Sequence, residues 1–177
     1  MVCNVRASAP STPLHSRDTN AGMTRQPIPL SVLVYGLLGL IPFLAPPLLA
    51  AAVPAHGGFL ALIALGYGAL ILSFLGGARW GLAVATPAPG FWVVSVSMLP
   101  TIAALALMLF PGLARPLQLL VMAALLTLQF VWDALSRGLP PWYTRLRAIL
   151  TLGATTGLVA MAWLILHAEI LVDATMV

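Results

Sequence analysis

From about Leu30 onward the chain is a succession of five apolar runs separated by short breaks. The first covers about Leu30–Val53 and is interrupted by Pro42 and by the pair Pro46–Pro47. It reads either as a kinked span or as a span ending near Ala45 with a short interfacial tail. The second, Phe59–Ala85, exceeds the roughly 20 residues that a bilayer requires, so it is expected to tilt or protrude. The third covers Phe91–Phe110 with Pro100 in its middle, the fourth about Pro116–Leu135 and the fifth Ala148–Ala168. The connections VPAHGG, TPAPG, PGLAR and SRGLPPWYTRLR are short, which makes consecutive spans antiparallel neighbours. The pattern predicts an all-α polytopic membrane bundle of about five helices over residues 28–170, with a short tail at 171–177.

Residues 1–27 differ in kind: they are polar, rich in Ser, Thr and Pro, and carry three arginines. They are expected to be disordered. Their near lack of acidic residues fits a transit peptide. The favoured alternative is an extension upstream of a start at Met23, because MTRQPIPLSVLVYG is a compact lead into a first span. Neither reading includes a cleavable secretory signal.

Composition turns the run pattern into a physical requirement. The chain is 61% hydrophobic and 7% charged, with a mean hydropathy of +1.05. Soluble domains carry roughly a quarter charged residues, so lipid must solvate most of this surface. All eight basic residues are arginine. They are too few and too scattered to form a nucleic-acid stripe, and they serve as topology signals instead. Arg6, Arg17 and Arg25 precede the first span, and Arg137, Arg145 and Arg147 lie between the fourth and fifth. This bias places the amino terminus in the cytoplasm and the carboxy terminus outside. The expected setting is a bacterial inner membrane, or the mitochondrial inner membrane if the source is eukaryotic. Trp80, Trp92, Trp132, Trp142 and Tyr143 fall near the same ends and fit an interfacial aromatic belt; Trp163 lies toward the other side.

Two charges interrupt the apolar runs. Arg79 lies inside the second and Asp133 near the end of the fourth. The two spans run in the same direction, so both groups are expected at similar depth near the cytoplasmic interface. A buried Arg–Asp pair there would offset part of each desolvation cost and fix helix register. The structural alternative is snorkelling, with Arg79 reaching headgroups and Asp133 facing water or Arg137. Gln129, Asp133 and Arg137 recur every four residues and form one polar stripe that is expected to face the bundle interior. Ser97 and Thr101, also four apart, are candidates to join it, although plain interhelical hydrogen bonding explains them as well.

Gly77–Gly81 and Gly153–Gly157 each fit G-x-x-x-G, and Gly66, Gly68 and Gly76 add small residues to the second span. Such faces let helix backbones approach closely, within one chain or across a homodimer seam. His56 and His167 are both expected at the outer face near Glu169, but no further ligands flank them, so no metal or cofactor is expected. Cys3 is the only cysteine, which excludes an intrachain disulfide. No H-E-x-x-H, G-x-S-x-G or Walker motif occurs, and Asp133 has no second aspartate with which to form a dyad. An enzyme is therefore not expected.

The segments YGLLGLIPF (Tyr35–Phe43), YGALILSFLGGARWG (Tyr67–Gly81) and LPPWYTRLRAILT (Leu139–Thr151) resemble those of the membrane-protein family known as domain of unknown function 3429, the transmembrane protein 69-like proteins. The resemblance covers about Leu30 to Leu166. It implies five spans and an inner-membrane or organellar setting, and it brings no activity, ligand or catalytic residue. The Gly-Gly and Trp around Arg79 belong to the family pattern, which singles out Gly76, Gly77, Arg79, Trp80 and Gly81. The leader upstream of Met23 lies outside it, which favours the later start. The expected function is that of a non-enzymatic membrane protein acting by helix contact with itself or with other membrane proteins. The loop 136–147 would be available to anionic lipid headgroups. The alternative is a small transporter or channel-like subunit using Arg79, Gln129 and Asp133.

Overall fold

A computed structural model describes residues 27–110, 112–136 and 139–175, and their side chains except at 169 and 171–175. The leader expectations, Cys3 and Arg137 lie outside these residues. Among the described residues six α-helices occur in the order α1 (Leu30–Leu38), α2 (Ile41–Ala52), α3 (Gly57–Val84), α4 (Phe91–Leu109), α5 (Arg115–Leu135) and α6 (Pro141–Thr175). No strand occurs among the described residues. Five segments are long and apolar enough to cross a membrane: Leu30–Ala52, which joins α1 and α2, then Pro54–Val84, Phe91–Leu109, Arg115–Leu135 and Pro141–Ala168. The protein is thus a five-span helical membrane bundle.

The first span is the kinked form of the two anticipated, with its break ahead of the prolines. Pro42 has no N–H to give to Leu38, and its ring crowds that carbonyl, so α1 stops there. Gly39 and Leu40 form the turn, and α2 restarts with Pro42 in its first turn, where a missing N–H costs nothing. The Leu40 carbonyl takes the Phe43 and Leu44 N–H groups, both at 3.0 Å. Pro46 and Pro47 lie inside α2, which continues past them to Ala52, so the helix does not end near Ala45.

The fifth span also departs from expectation. Its helix begins at Pro141, so Tyr143, Arg145 and Arg147 are helical and the 136–147 stretch is not one loop. Proline at the first helical position is pre-set for that conformation, and the Pro140 carbonyl accepts the Tyr143 N–H at 2.9 Å. Helical backbone also continues through 171–175, where a tail was expected.

α3 is the central element, in contact with α2, α4, α5 and α6. The fully buried side chains Phe43, Leu65, Leu72, Leu119, Met122, Leu158 and Met161 come from α2, α3, α5 and α6 and form the core. Large apolar side chains such as Leu70, Phe74, Leu128 and Leu152 point outward, as solvation by lipid demands. Two glycines set interhelical distances. A Cβ on Gly76 would lie 2.8 Å from the Ser97 carbonyl oxygen of α4, and one on Gly157 would overlap the Phe43 carbonyl of α2.

Candidate functional site: a charged cluster at one end of the bundle

Near the carboxyl ends of α3 and α5, the second turn of α6 joins them around a single carboxylate. Asp133 is 3% exposed. Its Oδ2 accepts from Arg147 Nε at 3.1 Å, and its Oδ1 lies 3.4 Å from Arg79 Nε. Gln129 Nε2 donates to Oδ1 at 3.4 Å from one turn earlier on α5. Arg79 also donates through Nη2 to Ser136 Oγ, which in turn donates to the Trp132 carbonyl at 2.7 Å. The Arg79 guanidinium carbon stands 4.6 Å from the Trp132 ring centroid, a cation–π distance. One carboxylate thus holds three spans together. A charge this deep is tolerable only when paired and hydrogen-bonded.

The cluster is not electrically balanced. Among the described residues two guanidiniums face one carboxylate, which leaves one net positive charge. Arg147 is itself 6% exposed, and its Nη2 is buried without a hydrogen-bond partner among the described residues.

The structure therefore brings together Arg79, Gln129 and Asp133 and adds Arg147, Ser136 and the face of Trp132. Arg147 lies on α6 and not in the loop that the sequence predicts. Its signal was the buried series Arg147, Thr151, Ala154 and Leu158, which extends the inner face of the fifth span one turn earlier. Ser97 and Thr101 do not join the cluster. Ser97 donates to the Val94 carbonyl at 2.6 Å, and Thr101 shares a 3.2 Å hydrogen bond with Ser73 between α4 and α3. At the far end of the bundle Gln118, unnoticed in the sequence, donates to the Leu107 and Phe110 carbonyls at 3.1 and 3.2 Å, which satisfies the orphan carboxyl end of α4.

The glycines divide. Gly153 and Gly157 face Leu40 and Phe43 within the chain, and Gly68 faces Met122, where a Cβ would lie 2.9 Å from Cγ. Gly66, Gly77 and Gly81 meet nothing within 4 Å. The aromatics divide as well. Trp80 and Trp92 are exposed, Trp142 stacks edge-on against Tyr143 at 6.1 Å, and Trp132 lies under Arg79. His167 stacks on Trp163 at 4.0 Å. Among the described residues no group of three or more His, Cys, Asp or Glu side chains could hold a metal ion.

These features define a polytopic helical membrane protein with, among the described residues, one buried ionic cluster. Residues 28–163 match the family described as Protein of unknown function (DUF3429), and the chain belongs to that family. It is similar to Transmembrane protein 69 of Xenopus tropicalis, 38% identical over 135 residues that make up 74% of this chain and 53% of that protein. Transmembrane protein 69 of Mus musculus is 37% identical over 111 residues, 61% of this chain and 44% of that protein. The chain spans about half the length of the curated relatives it matches. No solved structure matches it.

Proposed function

We propose that the protein is a non-catalytic integral membrane protein that acts by helix contact, with a second copy of itself or with other membrane proteins, and that the Asp133 cluster holds its helices in register. The observation that carries this reading is the use of Asp133, which is spent entirely on joining α3, α5 and α6. Beyond the cluster no other charged side chain is buried among the described residues, and the core is mainly apolar, with Leu65, Leu72, Met122, Leu126, Leu158 and Met161, which favours contact over transport. Gly77 and Gly81 offer an open small-residue face on the outside of α3, one turn apart and beside Arg79.

The test combines cross-linking in native membranes with flux measurements in reconstituted vesicles. Replacing both glycines (Gly77→Leu with Gly81→Leu) is expected to abolish cross-linked assemblies while folded protein persists. The Arg79→Gln variant is expected to leave vesicle permeability to protons and small ions unchanged. Ion flux that depends on Arg79, with assemblies intact, would make the transporter reading the correct one.

A further inference from the structure

A cleft on the side of the bundle supplies what the cluster lacks. It has a volume of about 320 Å3 and lies among α3, α4 and α5, with Val96, Pro100, Ala103, Leu125, Gln129 and Trp132 in its wall. Helix α4 leans mainly on α3 and touches α5 little, which leaves the gap. The volume is at the lower end of the about 300–1,000 Å3 typical of ligand sites, and the lining is apolar except at one end. That end is formed by Gln129, which donates to Asp133, and by Trp132, which carries Arg79 on its ring. The cleft is therefore an apolar slot whose Gln129–Trp132 end backs onto the charged cluster: Arg79, Asp133 and Arg147 do not line it, but Gln129 and Trp132 contact Asp133 and Arg79 directly.

We infer that the cleft holds one acyl chain of an anionic phospholipid, with the headgroup phosphate drawn to the Arg79 end. The apolar wall takes the chain by excluding no polar group from water. The excess positive charge selects the headgroup, and it acts strongly because the cluster is shielded from bulk water. A zwitterionic lipid would bring its own ammonium to the two arginines and lose that advantage. The arginine fork suits phosphate oxygens. This inference is independent of the contact function proposed above, and its readout is bound lipid rather than assembly.

The full chain, purified in mild detergent, is mixed with equal amounts of phosphatidylglycerol and phosphatidylcholine of closely matched chains and examined by native mass spectrometry. One phosphatidylglycerol per chain is expected, on the order of fivefold over phosphatidylcholine. Arg79→Gln should bring the two lipids to equal occupancy. Ala103→Trp, which fills the slot and leaves every charge in place, should lower occupancy by both. Inorganic phosphate at millimolar concentration should leave phosphatidylglycerol bound. Equal binding of both lipids by the unaltered chain overturns the inference, whatever the variants do. So does a phosphatidylglycerol excess that survives Ala103→Trp, and so does displacement by inorganic phosphate, which would mark a free-anion site.

Discussion

Asp133 stands between two guanidiniums and can neutralise only one. The three charged residues are therefore not equivalent. Replacing Asp133 by leucine leaves a buried Arg147 and a half-buried Arg79 unpaired and mutually repelling, at a cost of about 3–5 kcal/mol. Replacing Arg147 by methionine leaves the Arg79–Asp133 pair neutral and removes an N–H group that has no partner among the described residues, so the loss is expected near about 1 kcal/mol. Unfolding of the two variants in mixed micelles checks the order; an Arg147→Met variant as damaged as Asp133→Leu would contradict it. Arg79, Gln129 and Asp133 were legible in the sequence because a polar group inside an apolar run must find company. Arg147 was not. It follows Pro-Pro-Trp-Tyr, residues equally at home in an interfacial loop, and only the helix start at Pro141 turns it inward. The open or closed state of a glycine was also hidden: Gly77–Gly81 and Gly153–Gly157 share a spacing, and a spacing does not say what lies opposite.

At the scale of helices, composition located all five spans, because about 20 apolar residues have few other uses. It located the ends less well. Proline both breaks and begins helices: Pro42 begins α2 inside the first apolar run, and Pro141 begins α6 within a stretch whose composition reads as a loop. Helix contact is set by glycine at particular depths. Gly76 lies against the α4 backbone at Ser97, so Gly76→Val must separate α3 from α4 or strain both, at about 1–3 kcal/mol. Gly66→Val meets open space and is expected to leave stability unchanged. Thermal unfolding of the two proteins in detergent should separate them; equal melting temperatures would mean that α3 and α4 are not in close contact at Ser97.

For the molecule as a whole, the other four spans gather around α3, with the buried charges of the described residues concentrated at one end. That distribution makes the cluster an architectural unit whose members depend on one another. Buried ionic groups that act as a unit can often be exchanged together for apolar side chains at little cost, whereas removing one alone is severe. The decisive measurement compares unfolding free energies of Asp133→Leu with those of the triple variant Arg79→Met, Asp133→Leu, Arg147→Met. The cluster described here predicts that the triple variant is more stable than the single one and close to the unaltered protein. A triple variant that loses the sum of the three separate losses would contradict it, because the charges would then be acting independently.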